Sequence, residues 1–102
     1  MALPVACSLS DAEFRARRAG VVAEARRGVR ETRRVRGGWA FRFDGEARWI
    51  EVAARLMGLE RECCRFLRMR LTAEPDGGAV WLEMTGPRGT AHFVRVELGL
   101  AA

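Results

Sequence analysis

Cysteine and glutamate at close spacing give this chain its one local cluster capable of chemistry. In Glu60-Arg61-Glu62-Cys63-Cys64-Arg65-Phe66-Leu67, two adjacent thiols follow a carboxylate by three and four positions. On a helix that spacing projects Glu60 beside both sulfurs. Thiolates favour soft ions, so Cys63 and Cys64, with Glu60 beside them, are candidate ligands for Hg(II), Cu(I), Zn(II) or trivalent arsenic. Successive side chains of a helix diverge by about 100°, so an adjacent pair can chelate only where the helix ends. The spacing is not that of a zinc finger. A closed four-ligand site would need both Cys7 and His92, or Glu60, from distant parts of the chain.

Other roles compete for the same residues. Arg61, Arg65 and Arg68 would lower the thiol pKa values, while the negative end of a helix would raise them, and spacing leaves the outcome open. A disulfide between Cys63 and Cys64 needs a strained ring incompatible with helix, so Cys7 is the better partner for an oxidised member of the pair. Plain burial is a further reading, since Cys63 continues the face of Leu56 as a small hydrophobe does. Glu60 has Arg61 and Arg65 as candidate ion-pair partners, His92 reads as an ordinary partly buried histidine, and the three Trp read as core or sheet-face residues.

The elements that must position the cluster follow from capping and periodicity. Ser10 with Glu13 has the form of a capping box and Leu9 with Phe14 that of a hydrophobic staple, so a helix is predicted from about Asp11 to about Arg26, with Gly28 as its stop. From Val29 the period becomes two. Val29 to Val35 form a charged strand, Arg36-Gly37-Gly38 a turn, and Trp39, Phe41 and Phe43 the aromatic face of a second strand. Asp44 can cap a central helix from Glu46 to about Cys64, whose stripe runs through Trp49, Val52, Ala53, Leu56 and Glu60. A strand begins at Leu67, which puts the cysteines at a helix-to-strand junction. Pro75-Asp76-Gly77-Gly78 turns the chain into a strand bearing Val80, Leu82 and Met84 on one face and Trp81 on the other. Thr85-Gly86-Pro87-Arg88-Gly89 breaks that strand, as a plain turn or as backbone donors for an anion. His92 to Leu98 suggests a short helix, with Val94 and Val96 keeping a strand open.

The order is therefore α-β-β-α-β-β-α, with an echo between Gly37-Gly38-Trp39 and Gly77-Gly78-Ala79 that would make each half a hairpin followed by a helix. The expected fold is α+β, a two-layer sandwich with one four-stranded, mainly antiparallel sheet and helices on one face. At 102 residues the chain is expected to be a single domain, 1–102.

Composition limits function less than it limits location. No run approaches the roughly 20 apolar residues of a membrane span. Nor does a leader-like segment precede Cys7, so we expect a cytoplasmic protein whose three cysteines are thiols or ligands rather than structural disulfides. All 18 cationic residues are Arg, against 13 acidic ones, for a net charge of +5. Residues 15–36 hold nine Arg against Glu24 and Glu31, so this surface could attract nucleic acid or an acidic protein. No aromatic residue is interleaved there to stack on bases, which favours a merely solvated face.

The leading Cys7-Ser8-Leu9-Ser10, the central Leu59-Glu60-Arg61-Glu62-Cys63-Cys64-Arg65-Phe66-Leu67 and the late Thr85-Gly86-Pro87-Arg88-Gly89 add a resemblance. Together they resemble a group of small bacterial proteins of unassigned function with the pattern Cys-x-Leu-Ser, Glu-Arg-x-Cys-Cys-Pro-Phe-Leu and Thr-Gly-Pro-x-Gly. The match spans nearly the whole chain, and some members are associated with heavy-metal, especially mercury, resistance. The resemblance implies that Cys7, Cys63 and Cys64 act as a set, which spacing alone does not. Arg65 departs from it: where the pattern has Pro, the forced end of the helix is lost.

The leading expectation is thus a thiol protein binding a thiophilic metal or metalloid ion through Cys63 and Cys64, with Cys7 as third ligand and Glu60 beside them. An interaction module using the basic surface, and a thiol redox protein or enzyme, are the alternatives. Nothing requires oligomerisation, although so small a sheet with an aromatic strand could form a homodimer.

Overall fold

The computed structural model describes residues 4–6 and 11–100. Helix α1 runs Ala12–Gly28, and its first turn is closed by the side chain of Asp11, which accepts a hydrogen bond from the Phe14 N–H at 2.8 Å. The cap expected at Ser10, and the staple residue Leu9, lie outside the described residues. Gly28 belongs to α1 rather than stopping it. A Cβ there would fall 2.2 Å from the Trp49 indole, so Gly28 serves close approach of α1 to the central helix. Val29 then caps α1 through its N–H, which delays strand β1 to Glu31–Val35, two residues after the expected start.

Strands β1 and β2 (Gly38–Phe43) form a hairpin, and β3 (Arg68–Ala73) and β4 (Val80–Thr85) form another. The sheet order is β1-β2-β4-β3, antiparallel throughout. The second strands of the two hairpins meet along the middle of the sheet, where Trp39, Phe41 and Phe43 oppose Met84, Leu82 and Val80. With period two, that register turns Trp39, Phe41, Phe43, Val80, Leu82 and Met84 to one face and Trp81 to the other.

Helix α2, Ala47–Cys63, lies on that face. Its buried positions Trp49, Val52, Ala53, Leu56, Glu60 and Cys63 recur every three or four residues, the spacing of one helical stripe. The expected cap, Asp44, pairs instead with Arg30 at 3.2 Å. Glu46 occupies the cap position without a side-chain hydrogen bond. Phe43 and Trp49 stack at 5.8 Å between ring centres and join sheet to helix. Val22 and Ala25 of α1 enter the same core.

The terminal segment is helical, closing the alternative left open by Val94 and Val96. Helix α3, Thr90–Phe93, continues as a π-helical turn, Val94–Leu98, in which Val94 and Leu98 are buried and Val96 is exposed. Arg26 donates to the Leu98 carbonyl at 3.0 and 2.8 Å and satisfies the end of this turn. The fold is the expected α+β arrangement, α-β-β-α-β-β-α. Among the described residues, no helix is long and apolar enough to cross a membrane.

Candidate functional site

Cys63 is the last residue of α2 and Cys64 its cap, with backbone angles of −113° and 75° that leave the helix. The Cys64 N–H still reaches the Glu60 carbonyl at 2.6 Å, and the Leu67 N–H closes on the Cys64 carbonyl at 3.1 Å. The pair therefore sits at the junction the periodicity predicted, with the helix ended by a tight turn although Arg65 stands where Pro was the pattern. β3 begins at Arg68, one residue later than expected.

Both cysteines and Glu60 are fully buried. The two cysteines form a second, smaller core with Phe14 of α1 and Phe66 of the following turn, against which Val5, Leu59 and Phe93 pack. Phe66 meets Phe93 edge to face at 5.0 Å. Gly86 passes beneath Phe66: a Cβ there would lie 2.7 Å from Thr90 Oγ1 and 3.1 Å from the Phe66 carbonyl oxygen. Thr90 is buried and donates its hydroxyl to the Pro87 carbonyl at 2.6 Å. The Thr85-Gly86-Pro87-Arg88-Gly89 loop is thus a turn held by Thr90 on the Pro87 carbonyl and by the Gly86 N–H on the Gly37 carbonyl at 3.1 Å, and it packs against Phe66.

The counter-charge of Glu60 is Arg18, not Arg61 or Arg65, which are exposed. Arg18 donates Nε to Glu60 Oε1 at 2.6 Å and Nη2 to Oε2 at 3.2 Å, and its Nη2 lies 4.0 Å from Cys64 Sγ. A carboxylate with no exposure would be untenable alone, and this fork satisfies both its oxygens. Burial disfavours the Arg18 cation, but the hydrogen bonds and charge of Glu60, with a contribution from Cys64, hold it above its ordinary pKa.

The thiol of Cys64 is pushed up to about 12, by burial first and then by the charge and hydrogen bond of Glu60, with Arg18 acting in the opposite sense. This answers what spacing left open. The flanking arginines do not activate the thiol, because the cation that faces it is shared with a carboxylate.

Of the expected site residues, the structure brings Glu60 and Cys64 together under Arg18. Cys63 is disulfide-bonded, where the sequence suggested a thiol, and Cys64 is a free thiol. Cys7 lies outside the described residues. His92 is exposed on α3 rather than partly buried. Among the described residues, no three His, Cys, Asp or Glu side chains are grouped to hold a metal ion.

Arg18 is the member that sequence reasoning missed. It belongs to the basic stretch 15–36, yet it falls between Phe14 and Val22 at four-residue spacings, on the buried stripe of α1. An arginine at such a position needs a buried acid, and Glu60 holds the matching place on α2. No family model, curated protein or solved structure matches the chain.

Proposed function

We propose that the protein captures a thiophilic metal or metalloid ion through the sulfurs of Cys63 and Cys64 in its reduced form, with Cys7 as third ligand and Glu60 as the group that receives a thiol proton. The observation carrying this reading is the buried Cys64 thiol beside the Glu60 carboxylate, with Arg18 as shared counter-charge. A thiol held neutral by burial gives up its proton only to a partner that bonds strongly to sulfur, which is the property of Hg(II), Cu(I), Zn(II) and trivalent arsenic. In capture an S–H bond breaks and a sulfur–metal bond forms at each ligating cysteine; the Cys64 proton passes to Glu60 and the others to solvent. Neutralising Glu60 weakens its hold on Arg18, so binding is coupled to the α1–α2 contact.

Cys63 enters the ligand set once its disulfide is reduced, with two electrons and two protons supplied by a dithiol that is itself oxidised to a disulfide. The resemblance of the Cys-x-Leu-Ser, Glu-Arg-x-Cys-Cys and Thr-Gly-Pro-x-Gly segments to small bacterial proteins of unassigned function, some of them associated with mercury-resistance settings, supports the same reading.

The test is native mass spectrometry of the reduced protein with one equivalent of Hg(II), Cu(I), Zn(II) or arsenite. A one-to-one adduct is expected, lost in the Cys63→Ser/Cys64→Ser double variant. Uptake that survives the double substitution would put the ligands elsewhere and end the proposal.

A second reading, thiol–disulfide exchange, is favoured by one observation: a disulfide-bonded Cys63 beside a free Cys64. With its pKa pushed up to about 12, Cys64 at neutral pH is thiolate in only about one molecule in 10⁵, a poor attacking group. Iodoacetamide labelling against pH separates the readings. A rate that rises only in strongly alkaline solution fits ion capture, and a midpoint near neutrality fits exchange.

A further inference from the structure

No described element covers the sheet face turned away from α1 and α2. Its residues lie in rows fixed by the register: Arg33 of β1, Ala40 of β2, Glu83 of β4 and Arg70 of β3 form one, and Glu31, Arg42, Trp81 and Thr72 the next. Because Ala40 is small, Arg33 reaches across β2 and lays its guanidinium 4.6 Å from the centre of the Trp81 ring. Ala40 also lines an open trough of about 300 Å³, with Arg33, Trp81, Thr72, Glu74 and Glu83 around it.

We infer that this face binds single-stranded nucleic acid, with a base in the trough against Trp81 and Arg33 and the flanking phosphates on Arg68 and Arg70, since Glu31 holds both Arg33 and Arg42 in ion pairs at 2.8 and 3.1 Å. Of the nine Arg in 15–36, Arg33 gains an aromatic partner on this face because the fold brings β4 beside β2. An indole and a guanidinium offer stacking planes to any base. Glu74 and Glu83 repel phosphate from the trough but accept hydrogen bonds from the amino group of a base such as cytosine, so charge sorts the ligand into base inside and backbone outside. Arg68 and Arg70 are exposed on the β3 edge, and Arg70 is 3.8 Å from Glu83, a loose pair that leaves its cation accessible.

Area separates this occupant from a second copy of the chain. Four strands about 4.8 Å apart, one of five residues and three of six, at about 3.3 Å per residue span roughly 400 Å². That is about half of what each partner contributes to a standard protein interface, but enough for the two or three bases that four-stranded sheets accommodate.

The experiment is fluorescence anisotropy of labelled oligocytidine, in RNA and DNA forms, titrated with the full chain at low and at raised salt. Saturable binding is expected, with log affinity falling linearly against log salt by about 0.7 per phosphate contact. Trp81→Ala should weaken binding about tenfold or more, and Arg68→Ala/Arg70→Ala should reduce the salt slope by about 1.4, two contacts at about 0.7 each. Trp81→Leu fills the strand position without a ring and serves the same purpose should Ala loosen the sheet. Preference for the RNA form would identify a contact to the 2′-hydroxyl, and equal affinity a face that reads only base and phosphate; both support the inference. It is overturned if the wild type does not bind at low ionic strength, if Trp81→Leu binds as the wild type does, or if sedimentation shows a dimer that this substitution dissociates.

Discussion

Arg18 grips Glu60 with two nitrogens, at 2.6 and 3.2 Å, across 42 positions of sequence, and so ties the middle of α1 to the last turn of α2. The carboxylate has no exposure and the arginine side chain only 15%. Removing one partner of a buried pair costs about 3–5 kcal/mol, because the other charge is left without compensation. Arg18→Met is therefore expected to lower stability by about 3 kcal/mol in urea unfolding. Replacing both partners, Arg18→Met with Glu60→Met, should recover most of that loss. A double variant as unstable as the sum of the singles would mean that the pair is not one energetic unit.

The Cys64 thiol supplies a pH signature. An unfolded chain releases this proton near pH 8.5, whereas the folded chain holds it up to about 12 through burial and the neighbouring Glu60. Between those values the unfolded state binds fewer protons, so stability falls as pH rises; below about pH 8.5 the contribution is complete. Thermal midpoints measured from neutral to strongly alkaline pH should decline more steeply in the wild type than in Cys64→Ala. Parallel curves would contradict a thiol held neutral by the fold.

What the sequence carried and what it did not divide along physical lines. Alternating Trp39, Phe41 and Phe43, and the stripe from Trp49 to Cys63, are patterns of period two and 3.6 within one element, and such patterns are local. Even the cysteine junction was legible, since the period changes there. Arg18 with Glu60, and Arg33 over Trp81, are contacts between elements, and no local period announces them. Each leaves only a one-sided trace: a charge on an apolar stripe for the first, an outward-facing Trp for the second. The ends of elements moved for similar reasons. Gly28 stays helical because Trp49 needs its space, and Asp44 leaves its expected cap because Arg30 reaches it across the hairpin.

Gly86 tests whether the loop above the cysteines holds them in place. A methyl group there meets Thr90 Oγ1 at 2.7 Å and the Phe66 carbonyl at 3.1 Å, and the backbone oxygen cannot yield without moving the turn. Gly86→Ala is expected to cost about 1–3 kcal/mol, as overpacking does. It should also speed alkylation of Cys64, since Phe66 shares the chamber with that thiol. A stability loss without faster alkylation would show that the loop and the chamber move independently.

The disulfide at Cys63 makes the last prediction a matter of linkage. A disulfide stabilises chiefly by restricting the unfolded chain, typically by about 2–4 kcal/mol, so a reductant should lower the unfolding midpoint of the wild type and leave that of Cys63→Ser unchanged. An ion that binds only the folded, reduced protein restores stability by mass action, about 4 kcal/mol at a thousandfold excess over its dissociation constant. Thiophilic ions should therefore raise the midpoint of reduced wild-type protein, and do so far less for the oxidised protein, in which Cys63 is already bonded. If oxidised and reduced forms respond equally, the ion is held by groups other than Cys63, and the capture site must be redrawn around Cys64 and Glu60 alone.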